Sequence, residues 1–372
     1  MKRLTFLRAA AAALAILFAH QHAPAAQTID VVDALGRRVT VKSPVQRVIV
    51  NFNFEEFTAV AGTDGWKKVV AISRSLWEGW RPAIWSRYAQ VIPELAAMPE
   101  IGNTEDGNFS AEKVIALRPD VMFMANWTWT ALTTAREQIE RAGIPIVVID
   151  YNAQSLERHL ASTRALGAVM GARDRSDELA ALYERETLDT MRRIAAAPKS
   201  SRPKVLVELA RDGAETTGNS YAGTMWGQIL DTIGADNIAN GRLKGPWGPL
   251  NPEYVIATDP DFVFFAGSSW INRPKAVRLG YDASEAATRA SLAPYAGRAG
   301  WGAMRAVRTG EIHAIEHGLG RSLMDFAATQ YIAKRLYPEQ FTDIDPVAKL
   351  RDYHARFLPV AFSGTWLVPI RP

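Results

Sequence analysis

Two stretches of the chain, 141 residues apart, can be laid over one another with 8 of 16 positions identical. Ser110-Ala-Glu-Lys-Val-Ile-Ala-Leu-Arg-Pro-Asp-Val-Met-Phe-Met-Ala125 lies over Asn251-Pro-Glu-Tyr-Val-Ile-Ala-Thr-Asp-Pro-Asp-Phe-Val-Phe-Phe-Ala266, with Glu112 matched to Glu253. Each copy reads as a short helix feeding a strand. Ser110 or Asn251 caps the helix, Pro252 suits the first turn of the second copy, and Pro119 or Pro260 ends it. The strand residues that follow, Val121–Ala125 and Phe262–Ala266, are unbroken apolar runs, as expected of strands covered on both faces by helices. A unit repeated at this distance predicts two similarly built α/β lobes.

Further short apolar strands fit the plan. Arg47–Val50, Val69–Ile72 and Ile146–Ile149 belong with the first copy, and Lys204–Leu209 and Glu311–Ile315 with the second. Helical stretches alternate with them at Thr130–Ala142, Met225–Ile233 and Leu323–Leu336, the pattern of mainly parallel sheets. Between the halves, Ala172–Ala197 is rich in Ala, Leu, Glu and Arg and free of Gly and Pro, so it predicts one long helix bridging the lobes. The expected organisation is a signal peptide over 1–25, an N-terminal α/β lobe over 26–171, a linking helix over 172–198 and a C-terminal α/β lobe over 199–372.

The signal peptide rests on a basic start at Lys2, Arg3 and Arg8, an apolar run from Ala9 to Ala19 and the small residues Ala23-Pro24-Ala25. The run is below the roughly 20 residues a membrane span needs. Export to the periplasm is expected, in a free form, since the chain has no cysteine to carry a lipid anchor. The missing cysteines also exclude disulfides, thiolate metal sites and iron–sulfur clusters. Of the 43 basic residues, 40 remain once Lys2, Arg3 and Arg8 are removed, against 39 acidic ones. A nearly neutral, unblocked charge pattern gives no support to a nucleic-acid partner. A phosphate-binding glycine loop, a Gly-x-Ser-x-Gly elbow and a His-Glu-x-x-His helix are all absent, and no carboxylate pair stands out, so no catalytic residues and no cofactor are assigned.

Ligands of open α/β sheets meet the loops at the carboxyl ends of strands. Those segments here are Asn51–Phe54, Ser73–Trp77, Asn126–Trp129, Tyr151–Asn152, Thr217–Tyr221, Ser268–Trp270 and Glu316–Arg321. They are rich in aromatic and amide side chains, which suit a bulky or planar solute; the alternative is that individual rings cap their own lobes. The candidate ligand-binding residues are Asn53, Arg74, Trp77, Trp127, Trp129, Tyr151, Tyr221, Trp270, His317 and Arg321. Arg74 and Arg321 carry planar guanidinium groups able to pair with carboxylate, hydroxamate, catecholate or oxyanion groups, or simply to solvate the surface. Beyond the signal, histidine occurs only at positions 159, 313, 317 and 354, too sparse for a receptor that binds a bare transition metal, so no metal ligands are assigned.

The opening Asp33-Ala-Leu-Gly-Arg-Arg-Val39 and Pro44-Val-Gln-Arg-Val-Ile49, the repeat, the central helix and the close Tyr337-Pro-Glu-Gln-Phe341 resemble the periplasmic binding proteins of iron–siderophore and cobalamin ABC importers. The resemblance implies two lobes bridged by one long helix, a metal chelate held between them, and delivery by a monomer to a permease in the inner membrane. It also implies that Glu112 and Glu253, one on each lobe, dock on permease arginines; the alternative is that each only favours its helix dipole, worth at most about 1 kcal/mol. A ferric siderophore is the expected cargo, with cobalamin, haem, molybdate or a ligand-sensing role as alternatives. The segments Trp77–Gly102 and Trp270–Trp301 read as insertions that either form lids or mark a subgroup with its own ligand.

Overall fold

The computed structural model describes residues 27–197 and 202–371; the expected signal peptide and the end of the expected linking helix lie outside the described residues. Two sheets form the framework. In the first, β3 (Val48–Val50), β4 (Val69–Ile72), β5 (Val121–Ala125) and β6 (Ile146–Ile149) are all parallel, in the order β4-β3-β5-β6. In the second, β7 (Lys204–Leu209), β9 (Asp236–Asn237), β11 (Phe262–Gly267), β12 (Ile312–Glu316) and β13 (Leu367–Pro369) run β13-β12-β11-β7-β9, with only β13 antiparallel. Two small antiparallel pairs complete the strands: β1 (Gln27–Val32) with β2 (Arg38–Ser43), and β8 (Asn219–Tyr221) with β10 (Trp247–Pro249).

The repeat forms as its sequence predicts. Ser110 Oγ accepts from the Lys113 N–H at the start of helix Ala111–Ala116, and Asn251 Oδ1 accepts from the N–H groups of Glu253 and Tyr254 at the start of helix Pro252–Thr258. Both helices lead into central strands, β5 and β11, whose residues are almost entirely buried. The stretch expected to be one helix over Thr130–Ala142 is instead two, Asn126–Ala131 and Thr133–Arg141, broken at Leu132, whose ψ of 43° is not helical.

The bridging helix runs from Arg173 to Ala195, about 35 Å at 1.5 Å per residue. It is not an isolated strut. It doubles back along helix Leu156–Met170 through a turn at Gly171, whose φ of 73° favours glycine, and Gly167 lets the two helices close, since a Cβ there would collide with Ser176. On the other side, Arg193 pairs with Asp343 at 2.7 Å, and Gln330 donates to Glu186 Oε2 at 3.1 Å, tying the helix to the C-terminal lobe.

The lobes are less separate than the expected boundaries suggest. One hydrophobic cluster runs from Val48 and Phe123 of the first sheet to Val207 and Phe264 of the second. Helix Pro346–Phe357, expected in the C-terminal lobe, packs on helix Phe54–Gly65 of the first, and Arg175 donates to the Phe357 carbonyl at 2.8 Å. The helix-bearing side of both lobes is therefore fused, and the lobes part only at the carboxyl ends of their strands.

Candidate functional site

Where the lobes part there is a cleft of about 970 Å³. The first lobe contributes Trp80, Trp127, Asp150 and Arg158, and the second Arg211, Tyr221, Trp247, Trp270, His317 and Arg321. Of the residues expected there, Trp127, Tyr221, Trp270, His317 and Arg321 line it. Asn53, Arg74, Trp77, Trp129 and Tyr151 do not, and the reasons are local.

Trp127 and Trp129 were expected on one loop, but the chain turns helical immediately after β5. Residues two apart on a helix point to different sides. Trp127 reaches the cleft and meets Phe52 edge-on at 5.4 Å, whereas Trp129 turns outward between the guanidinium groups of Arg37 and Arg136, at 3.9 and 4.3 Å from its ring centre. Trp77 is core: it stacks on Phe54 at 4.7 Å and touches Trp66, Trp85 and Tyr88. Tyr151 is fully buried, its hydroxyl 3.1 Å from Thr163 Oγ1 under helix Leu156–Met170. Arg74 donates to the Met98 carbonyl and lies over Trp85, so it braces the segment that follows β4. Asn53, with a φ of 59°, is buried at the start of helix Phe54–Gly65.

The two segments read as insertions are not detached lids. The first packs Trp77, Ile84, Trp85, Tyr88 and Leu95 into the N-terminal lobe and offers only Gly79 and Trp80 to the cleft. The second exposes Ile271 and Arg273 at the cleft rim, then buries Val277, Leu279 and Tyr281 in its own lobe.

The arginines of the cleft are not equivalent. Arg158 is neutralised by Asp150 at 2.8 Å, and Arg211 and Arg273 share Asp212 at 3.0 and 3.1 Å. Arg321 has no carboxylate within 4 Å among the described residues; it lies over Phe52 and Trp80, 5.3 and 5.5 Å from the ring centres, with Nε buried and lacking an acceptor. Burial, then the neighbouring Arg81, pull its pKa well below the usual arginine range, yet it stays cationic at neutral pH. Beside it, burial and then Arg321 hold His317 well below the ordinary histidine pKa, so the ring is neutral. Its Nδ1 accepts from Trp226 Nε1 at 3.3 Å, which leaves the ring proton on Nε2. Among the described residues, no three or more His, Asp or Glu side chains converge to hold a metal ion.

Sequence reasoning missed Trp80, Asp150, Arg158, Arg211, Trp247 and Arg273. Asp150 and Arg211 stand just past β6 and β7, where the same carboxyl-end rule applies. Trp247 sits between two Gly and Pro pairs, Gly245-Pro246 and Gly248-Pro249, a setting that bars a core helix; it is 55% exposed.

Both repeated glutamates are exposed on the first turns of their matching helices. No helix among the described residues is long and apolar enough to cross a membrane.

The sequence profile described as periplasmic binding protein matches residues 55–317. The chain belongs to that family. Its members serve as solute-binding components of ABC transporters, and the two-lobed fold with its open cleft is of that kind. The crystal structure of a TroA-like periplasmic binding protein, FepB, from Veillonella parvula is 34% identical, covers 92% of this chain and 99% of its own, and superposes with a TM-score of 0.85. The molybdate-binding protein MolA of Haemophilus influenzae is 23% identical over 90% of this chain and 92% of its own, and its molybdate-bound structure gives a TM-score of 0.67. An ABC transporter substrate-binding lipoprotein of Bacillus subtilis, YvrC, is 24% identical over 64% of this chain and 68% of its own.

Proposed function

We propose that this protein is exported to the periplasm, captures an anionic metal chelate whole, foremost a ferric siderophore, and presents it to an ABC permease. The observation that carries the reading is the cleft wall itself. Four tryptophans, Trp80, Trp127, Trp247 and Trp270, line the same cleft as Arg321, whose guanidinium lies over Trp80 and has no carboxylate within 4 Å among the described residues. Indole faces bury the flat apolar parts of a ligand, and an unpaired, partly desolvated cation selects a ligand with an anionic edge. A cleft of about 970 Å³ is at the upper end of the 300–1,000 Å³ typical of drug-sized ligands, far larger than a tetrahedral oxyanion fills. Neutral His317 offers an N–H donor rather than a second charge.

Glu112 and Glu253 are proposed as the docking carboxylates. They stand at equivalent positions of a repeated unit, as a two-lobed protein needs to register on a two-fold partner, and opposite charges across such a contact set orientation and encounter rate.

The test is a fluorescence titration of ligand-free protein with ferric hydroxamate and catecholate chelates, cobalamin, haem and molybdate. Quenching of indole emission with tight binding of a ferric chelate is expected. Tight binding of molybdate alone sinks the chelate reading while leaving solute import in place.

A further inference from the structure

Below the main cleft lies a smaller chamber of about 40 Å³, roughly the room of three waters. Arg321 forms part of both walls, so the two spaces adjoin. On the chamber side Arg321 faces Arg81, which reaches from the N-terminal lobe onto the backbone of Gly318 in the second; a Cβ at Gly318 would collide with the Arg81 guanidinium. Neither arginine has a carboxylate within 4 Å among the described residues. Arg81 Nε and Nη2, and Arg321 Nε, are buried without an acceptor. Three buried N–H donors without acceptors, on two cationic side chains that line one pocket, are a costly arrangement unless something anionic completes it.

The remaining wall is acidic, and here the chemistry becomes specific. Glu55 and Glu56, at the start of helix Phe54–Gly65, both line the chamber. Glu55 accepts from the Tyr88 hydroxyl at 3.1 Å and faces Glu56, Arg81, Glu316 and Tyr281. Glu56 accepts from the Leu323 N–H at 3.3 Å and faces Asn53, Arg81, Asp325, Tyr151 and Tyr353. Glu316 is committed elsewhere, accepting from Ser268 Oγ at 2.8 Å and the Gly318 N–H at 2.6 Å. Burial, joined for Glu55 by repulsion from Glu56, pushes both carboxyls up to about 7. An anion beside them raises these carboxyls further, and a protonated carboxyl converts from a repelling acceptor into a donor.

Resting on the capture reading above, we infer that the chamber is an anion subsite, taking one carboxylate or oxyanion group against Arg81 and Arg321, and that Glu55 or Glu56 takes up a proton from solvent as it fills. The sign follows from linkage. A group whose pKa rises on binding adds nothing to the pH dependence below its free value, and costs affinity as pH climbs from that value toward its bound one. Binding is therefore flat below about pH 7 and weakens by up to about tenfold per pH unit above it, while one proton enters per site.

Calorimetry on the ligand-free full-length protein tests this. Molybdate and sulfate serve as free oxyanions and ferric citrate as a chelate with carboxylate ends, each at pH 6.0, 7.0 and 8.5 in two buffers of different ionisation enthalpy. The expected result is about one proton taken up at pH 8.5 and little at pH 6.0, with about tenfold weaker binding at pH 8.5 than at pH 6.0, for the free ions if they enter alone, or for the chelate only if its carboxylate end fills the subsite. Glu55→Gln combined with Glu56→Gln flattens the profile, holding at pH 8.5 the affinity seen at pH 6.0, and Arg81→Gln weakens every anion at least tenfold. Arg81→Met serves if Arg81→Gln does not fold. Binding at pH 8.5 without proton uptake, an Arg81 variant with unchanged affinity, or no anion bound at any pH overturns the subsite. A neutral ferric trihydroxamate that still quenches the tryptophans keeps the capture reading in that case, whereas loss of all chelate binding removes both.

Discussion

The N-terminal lobe carries more aromatic side chains after its strands than the C-terminal lobe does, and the two use them differently. In the N-terminal lobe Trp77 is locked among Phe54, Trp66, Trp85 and Tyr88, Tyr151 is sealed under a helix, and Trp129 faces outward between arginines, leaving Trp80 and Trp127 for the cleft. In the C-terminal lobe Trp247, Trp270, Tyr221 and His317 all line it. Charge in the cleft does not divide by lobe: Arg158 of the first lobe is paired with Asp150 and Arg211 and Arg273 of the second with Asp212, while Arg321 has no carboxylate within 4 Å among the described residues. The first lobe thus spends most of these rings on rigidity, while the second turns its few toward the cleft. A repeated backbone unit does not entail a repeated role, because the direction of a side chain is set by what packs against it.

The place where the lobes are used alike should give the largest effect. Changing Glu112 and Glu253 together to Arg is expected to reduce permease-dependent uptake to background while leaving solute affinity within about 0.5 kcal/mol, as for surface substitutions far from a site. Uptake by membrane vesicles containing the cognate permease, paired with calorimetry, checks both halves. Lost affinity with intact uptake contradicts the docking assignment.

The aromatic contrast predicts a split between stability and affinity. Trp77→Ala is expected to cost about 3–5 kcal/mol of folding stability, as for a fully buried large aromatic, with the affinity of the remaining folded protein unchanged for a neutral chelate, which does not enter the chamber that Trp77 also lines. Trp270→Ala is expected to cost about 1–3 kcal/mol of binding and little stability. Denaturant melts alongside fluorescence titrations decide this, and a Trp77 variant that folds normally but binds poorly reverses the division.

The smallest difference concerns the arginines. Arg321→Ala should weaken an anionic chelate by about 1.5–3 kcal/mol, the range for a hydrogen bond to a charged group, whereas Arg158→Ala, whose charge Asp150 already meets, should weaken it by less than about 1 kcal/mol. Equal losses mean that the cation of the first lobe is not held back by its partner.

Much of the fold was legible in the sequence, since the features that encode it are local. Unbroken apolar runs marked β5 and β11, a capping Ser110 and Asn251 marked the helix starts, and an Ala-, Leu- and Glu-rich stretch without Gly or Pro marked the bridging helix, found at Arg173–Ala195. The carboxyl-end rule also placed Trp127, Tyr221, Trp270, His317 and Arg321 on the cleft. Tertiary structure alone decided what those patterns leave open. The helical turn after β5 sends Trp127 and Trp129 apart; Trp77 is core because Phe54 and Trp66, far from a loop's own sequence, stack on it. Whether an arginine is paired depends on a carboxylate elsewhere in the chain: Asp150 lies 2.8 Å from Arg158, and among the described residues none lies within 4 Å of Arg321. The chamber beneath the cleft depends on Glu55, Arg81 and Gly318, which share no motif and meet only because the lobes fold together. Periodicity and capping are read over a few residues at a time, while burial, pairing and the direction of a side chain are set by neighbours that only the folded chain brings near.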